Sequence, residues 1–407
     1  MTSDSLRFGF ALTFLAAAAA ACSSSTSGMP GGSSGSSGGV ITAADKAAVV
    51  KSYGAVVHAN YEEALTQMKA LQTAVNALVA TPTQATHDAA KAAWIAARPS
   101  YLLSEGYRFY GGPIDEAEGL INSWPIDENF VDYVVGDDEA GIINKKGGTA
   151  FLFPTIDKAI LTAENQKGGE KNMSAGWHVI EFLLWGQDLN KDGTPHAEGP
   201  GMRPYTDFVD GGTAKNADRR RTFLKAATDL MVESFETVEV QWDDSPDTYR
   251  GKMAAGDPDA ALSSILKGIG ALAATELPKE RMNNAYETKD QEEEHSCFSD
   301  TTNQDLANNA QAIENVYLGR YGTVTGPSIA DLVKTKDAAL DAKTRADIAA
   351  VVAATKAIPA PFDNAILGAD DSDGRKKIKA SIDSCAVVKN DIQAIAGVLG
   401  VQINLSQ

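Results

Sequence analysis

The chain has 407 residues, 43% of them hydrophobic, and a formal net charge of −18. That length allows two domains and that apolar content a sizeable core. The acidic balance excludes nucleic acid as the natural partner, because phosphates would be repelled, and it is compatible with attracting cations.

Residues 1–21 read as a targeting segment. Arg7 gives it a weak basic start, and residues 8–21 form an apolar run too short to span a membrane comfortably. The run ends Ala19-Ala20-Ala21-Cys22. Small residues before a cysteine look like a bacterial lipoprotein processing site, with Cys22 as the lipid-bearing N-terminus; plain secretion after Ala-x-Ala is the alternative. Ser23 and Ser24 at the next positions resemble sorting to the outer membrane. Residues 22–40 are almost entirely Ser, Gly and Thr, the composition of a flexible tether.

From residue 41 onward apolar and alanine residues recur at spacings of three and four, which predicts helices over 44–79, 86–110, 156–166 and 175–185. In the second half 218–240, 257–275, 305–318, 329–358 and 376–399 read the same way, and no run alternates as a strand would. The expected fold is all-α, as two helical bundles. Gly, Pro and charged residues at 199–216 place the expected boundary, giving domains 41–205 and 206–407.

Trp94, Arg98, Tyr101, Glu105 and Arg108 fall at intervals of 4, 3, 4 and 3, one stripe along the second helix that runs on toward Asp115. The stretch Gly176-Trp-His178-Val-Ile-Glu181-Phe-Leu-Leu-Trp185-Gly-Gln-Asp188 is the focus of the chain. Ser174 is a good N-cap and Gly186 a good stop for a helix between them. That helix is apolar all round, hence buried, yet it carries His178 and Glu181 side by side at i, i+3. A buried carboxylate needs a metal, a cation or a proton as partner. Imidazole beside carboxylate is half of a site for iron or Zn²⁺; the bland alternative is a structural pair that sets helix register. Glu105 and Asp115 are the candidate further ligands, with Arg98 balancing charge and Tyr101, Arg108 and Trp185 lining the site.

Asp188, Asn190, Asp192 and Gly193 match the opening of an EF-hand type Ca²⁺ loop, but its closing position is Gly199, with Glu198 one residue short. An Asx-Gly turn is the expected reading there. Glu292 and His295 stand at the Glu-x-x-His spacing of di-iron bundles, against the alternative of a solvated acidic run. His58, His87 and His196 have no neighbour at metal spacing. With Cys22 set aside, Cys297 and Cys385 form one disulfide or remain two buried thiols.

The Gly-x-His-x-x-Glu run with its Phe-Leu-Leu-Trp-Gly-Gln-Asp continuation resembles the signature of the imelysin family, and the segments 98–115 and 294–300 resemble it too. Imelysins are bacterial envelope proteins, often iron-regulated lipoproteins, and some are classed as metallopeptidases. The resemblance implies two helical bundles thought to derive from duplication. It also implies an outer-membrane lipoprotein, facing periplasm or surface, that binds a metal ion or small ligand and serves iron uptake with an envelope partner. A zinc metallopeptidase and a non-enzymatic interaction scaffold are the alternatives. The peptidase reading lacks the His-Glu-x-x-His pattern of common zincins, since Val179 and Phe182 stand where Glu and the second His belong.

Overall fold

The computed structural model describes residues 39–190, 192–194 and 199–405. The targeting segment, Cys22, nearly all of the tether and His196 lie outside them. Helices dominate, as the periodicity predicts. Thr42 opens α1 (Ala43–Ala80) with a reciprocal cap: its hydroxyl accepts from the Asp45 N–H while Asp45 accepts from the Thr42 N–H. Tyr53, Val57, Tyr61, Met68, Leu71, Val75 and Leu78 then line its buried face. Thr83 and Thr86 cap α2 (Gln84–Leu102) in the same manner.

The second helix ends earlier than its stripe predicts. Leu103–Tyr107 tightens into a 3₁₀ turn, Arg108 is extended, and Phe109 has a left-handed φ of 72°. Asp115 then accepts from the N–H groups of Phe109, Tyr110, Gly111 and Gly112 at 2.7–3.2 Å and starts α3 (Pro113–Ile121). There follow α4 (Trp177–Trp185), α5 (Ala217–Glu239) and α6 (Pro258–Ala271), which runs on through residues 272–283 in wider π geometry. The second half is completed by α7 (Thr302–Leu318), α8 (Ala338–Lys356), α9 (Phe362–Leu367) and α10 (Asp373–Leu399). The single helix expected over 329–358 is broken at Asp337. That residue leaves helical geometry, and its carboxylate caps α8 by accepting from the Ala339 and Leu340 N–H groups. Strand is confined, among the described residues, to two antiparallel pairs of two-residue segments, Lys146–Gly147 with Ala150–Phe151 and Arg320–Tyr321 with Val324–Thr325.

Packing does not follow the boundary read from composition. α5 lies beyond residue 205, yet it packs on α1, α3 and α4. α6 with its extension, α7, α8 and α10 pack together, while α7 also meets α2 and the 3₁₀ turn. The buried apolar side chains of both sets form one continuous core.

Cys297 and Cys385 are free and buried, so the disulfide alternative is not the one formed. Exchange needs a thiolate, and both surroundings oppose one. Burial pushes the Cys385 thiol up to about 12. Burial and then the carboxylates of Glu292, Glu181, Glu128 and Glu294 push Cys297 up as well.

Candidate functional site

α4 begins two residues later than its sequence suggests. The Ser174 hydroxyl donates to the Leu161 carbonyl at 2.6 Å, and Gly176 opens the helix at φ 97°. A Cβ on Gly176 would stand 2.7 Å from the Ile121 carbonyl oxygen, so the glycine of the motif is needed for close passage beside the end of α3. Gly186, at φ 74°, ends the helix by donating its N–H to Phe182. All nine residues of α4 are buried. Trp94 of α2 fixes the helix through an N–H donated to the Trp177 carbonyl at 3.1 Å and edge contacts to Trp177 and Trp185.

Within that packing His178 Nδ1 lies 2.9 Å from Glu181 Oε2. Glu181 Oε1 accepts from the Ser299 N–H at 2.9 Å and its hydroxyl at 2.7 Å. Both carboxylate oxygens of Glu181 are therefore engaged, and the atom of the pair left buried without a partner is His178 Nε2. Edge-on to this ring, 4.7 Å between centroids, stands His295. Its Nδ1 is 2.6 Å from Asp305 Oδ2, which also accepts from Ser296 Oγ at 2.6 Å and Arg98 at 3.0 Å. Arg98 completes its fork on Asn122 Oδ1 at 2.7 Å. The centre is thus two imidazoles, each held from behind by a buried carboxylate, the arrangement that orients histidine for ligation.

Electrostatics separates the two carboxylates. Burial, opposed by Ser299 and Arg98, raises Glu181 to about 8. Burial also opposes charge on Asp305, but Arg98, His295 and Ser296 outweigh it and hold that group well below the usual carboxylate range. Burial and then Arg281 lower His295 to about 4, and burial, His295 and Arg98 push His178 far down. At neutral pH both rings are neutral and Glu181 shares a proton with His178, while Asp305 keeps its charge.

The other expected ligands are used elsewhere. Glu105 is bound by Arg108 at 2.8 Å and Arg281 at 3.0 Å; against burial those two charges lower it to about 2. Asp115 is occupied by the four backbone N–H groups that it caps. Tyr101 packs against Trp177 and Arg98, and Trp185 lies against Trp94 under Lys91, so both support α4. Arg108 also meets Glu118 at 3.2 Å. It helps to line a cleft of about 400 Å³ whose wall includes Glu118, Asn122, Trp124, Glu276, Arg281 and His295. The cleft places His295 between open space and the buried pair.

A second cluster was not legible from spacing. His58 on α1 meets the end of α5, its Nε2 3.3 Å from Asp243 Oδ1 and 3.9 Å from Glu239 Oε1. The three donor atoms lie within 4.8 Å of one another and could hold a metal ion. His58 therefore does have a partner at metal distance, contrary to its isolation in the sequence. Trp242, buried between Tyr53 and Tyr61, locks the turn that carries Asp243 against α1. Burial and then Asp243 raise Glu239.

The imelysin (Peptidase M75) family model matches residues 57–391. The chain belongs to the imelysin family. Among curated proteins none matches it. Among solved structures it is similar to a protein from Parabacteroides distasonis ATCC 8503 described as an iron-regulated protein A precursor. The identity is 20% over 90% of this chain and 97% of that one, with a TM-score of 0.67. It is also similar to an imelysin-like protein from Psychrobacter arcticum 273-4, with 12% identity over 91% and 99% of the two chains and a TM-score of 0.59. At these identities the likeness shows the fold.

Two further stretches of this imelysin resolve differently from their spacing. Asn190 and Asp192 form a tight turn, with Asp192 accepting from the Thr194 N–H and hydroxyl. Asp188 is buried away from them, where Gln291 donates to its carbonyl. Glu292 does not pair with His295; its carboxyl meets that of Glu128, and His295 belongs with Asp305 and His178.

Proposed function

We propose that this imelysin is a cell-envelope protein that binds a metal ion for iron uptake, tethered to the outer membrane by a lipid on Cys22. The observation that carries the reading is the convergence of His58, Glu239 and Asp243. One imidazole nitrogen with two carboxylate oxygens suits Fe²⁺ or Zn²⁺, and three protein donors leave positions open for water or a chelator. The trio is half-buried, with side-chain exposures of 28%, 18% and 50%, so an ion can enter and leave. Its placement favours a cation for a further reason. Glu239 ends α5 and Asp243 follows one turn later, where the helix dipole disfavours negative charge, and no basic residue stands in that last turn. The description of the Parabacteroides protein as iron-regulated and the net charge of −18 support the same reading.

The buried centre offers a second place for an ion or small ligand, favoured by the unpartnered Nε2 of His178 beside the cleft-lining His295. In that role Glu181 and Asp305 orient the rings, and a bound cation replaces the hydrogen that neutral His178 carries on Nε2 while its Nδ1 faces the protonated Glu181. Elemental analysis of the mature protein, purified without a metal-affinity tag and reloaded with Fe²⁺ or Zn²⁺, tests both. The account expects near-stoichiometric metal that His58→Ala or Glu239→Gln removes. Metal lost only in His178→Ala moves the site to the cleft. Chelator-sensitive proteolysis lost in the same His178→Ala variant would favour the peptidase alternative. No metal under any loading condition contradicts the proposal.

A further inference from the structure

A groove of about 290 Å³ opens where α4 ends, and no residue of either histidine centre lines it. Trp185 and Gly186 form its floor, and Tyr133, Val135, Leu189 and Met202 its walls. Trp185 is 2% exposed, whereas Val135 and Met202 are 45% and 71% exposed, so two large apolar side chains stand in water at one mouth. Backbone hydrogen bonds fix the walls without a ligand. The Val135 N–H donates to Gln187 Oε1 at 2.8 Å, and the Arg203 N–H donates to the Trp185 carbonyl at 2.7 Å. A concave, mostly apolar site with a few fixed polar groups is the usual form of a small-molecule pocket.

Charge decides what kind of molecule suits it. The chain carries −18 overall, yet among the described residues that line the groove none is a carboxylate, and the charged one is Arg203. The cleft beside His295, by contrast, is walled by Glu118 and Glu276. Arg203 Nη1 is bound to Asp132 at 2.5 Å, but Arg203 Nε is buried without a partner. A Cβ placed on Gly186 would stand 3.5 Å from that Nε, so the glycine leaves room beside the donor. Gln187 commits its carboxamide oxygen to Val135, which leaves its Nε2 as a second donor in the wall. Lys91 Nζ lies 5.3 Å from the centroid of the Trp185 ring. Among the described residues it has no ion-pair partner, since Asp88, one turn before it on α2, accepts from Gln84. Asp132 is shared by Arg203 and Arg220, and Asp207 stands 3.7 Å from Arg203, so those charges balance and Lys91 is the cation left over. Burial, opposed by Asp88 and reinforced by Arg203, lowers the Lys91 ammonium to about 8.

A cationic ligand finds no counter-charge in this groove, and a purely apolar one leaves the donors unpaired. An anion carried on a flat apolar body meets both demands. We propose that the groove binds a small aromatic carboxylate, its ring between Val135, Leu189 and Met202 and its carboxylate turned to Arg203 Nε, Gln187 Nε2 and Lys91. The site is independent of the iron-uptake reading and of both histidine centres.

The test is calorimetric titration of the full mature protein with indoleacetate and with its uncharged counterpart, indoleacetamide. Wild-type protein is expected to bind one indoleacetate saturably and the amide at least tenfold more weakly. Lys91→Met keeps the aliphatic stem over Trp185 and removes the charge, and it should weaken indoleacetate binding at least fivefold. Met202→Glu places a carboxylate at the mouth and should weaken it at least tenfold; Met202 is exposed, so this variant keeps the fold. His58→Ala should bind indoleacetate as wild-type does. No saturable binding by wild-type at several millimolar indoleacetate overturns the proposal, as does unchanged affinity in both groove variants. Equal affinity for acid and amide shows an apolar groove without charge selection and overturns it too.

Discussion

The two histidine centres of this imelysin solve opposite problems with the same residue types. At His58, Glu239 and Asp243 the side chains are half in water, so their charges cost little and the donors are free to exchange an ion. At His178, Glu181, His295 and Asp305 every group is at most 2% exposed. Charge survives there only on Asp305, which has Arg98, and the His178–Glu181 pair persists as a neutral unit sharing a proton. Burial buys orientation at the expense of exchange. The difference teaches that a His-x-x-Glu pair inside an apolar helix is a fixed neutral unit that leaves the Nε2 edge of the histidine unpartnered, rather than two charged ligands.

Breaking the buried network should have the largest effect. Arg98→Ala leaves Asp305 buried without its cation and is expected to cost about 3–5 kcal/mol in urea unfolding; a loss below about 1 kcal/mol would mean that the Asp305 charge is held otherwise. Gly176→Ala forces a Cβ toward the Ile121 carbonyl in left-handed backbone and should cost roughly 1–3 kcal/mol by the same measurement.

The buried pair also has a pH signature. Glu181 titrates near 8 in the fold, against an unfolded value near 4.5. Between those values the folded state holds the extra proton, so stability falls as pH rises, by at most about 1.4 kcal/mol per pH unit for one group. Glu181→Gln should flatten that decline in unfolding curves taken from pH 5 to 8, and an unaltered slope would assign it to other acids. The smallest stability effect belongs to the open cluster. His58→Ala is expected to change stability by no more than about 1 kcal/mol while weakening metal binding at least tenfold in the same preparation.

Local signals were legible in the sequence and long-range ones were not. The apolar run of α4 and its buried His178 and Glu181 followed from composition and spacing, whereas Arg98, expected to balance charge at that pair, meets Asp305 and Asn122. Asp115 was misread although its own neighbourhood carried the answer. Gly112-Pro113-Ile114-Asp115 is a helix start, and an aspartate at its third position serves backbone N–H groups before any ligand. Asp337 is the same case inside an apparently continuous helix. His295 against His178 and His58 against Asp243 could not be read, because chain separations of 117 and 185 residues are closed only by tertiary packing. Glu239 and Asp243, four apart at a helix end without a basic residue, were the one local trace of the second cluster.

The central claim is tested most directly by anaerobic calorimetric titration of Fe²⁺ into the mature wild-type protein and into His58→Ala and His178→Ala. The account predicts one saturable site in wild-type, lost in His58→Ala and retained in His178→Ala. Binding that survives in His58→Ala would contradict it.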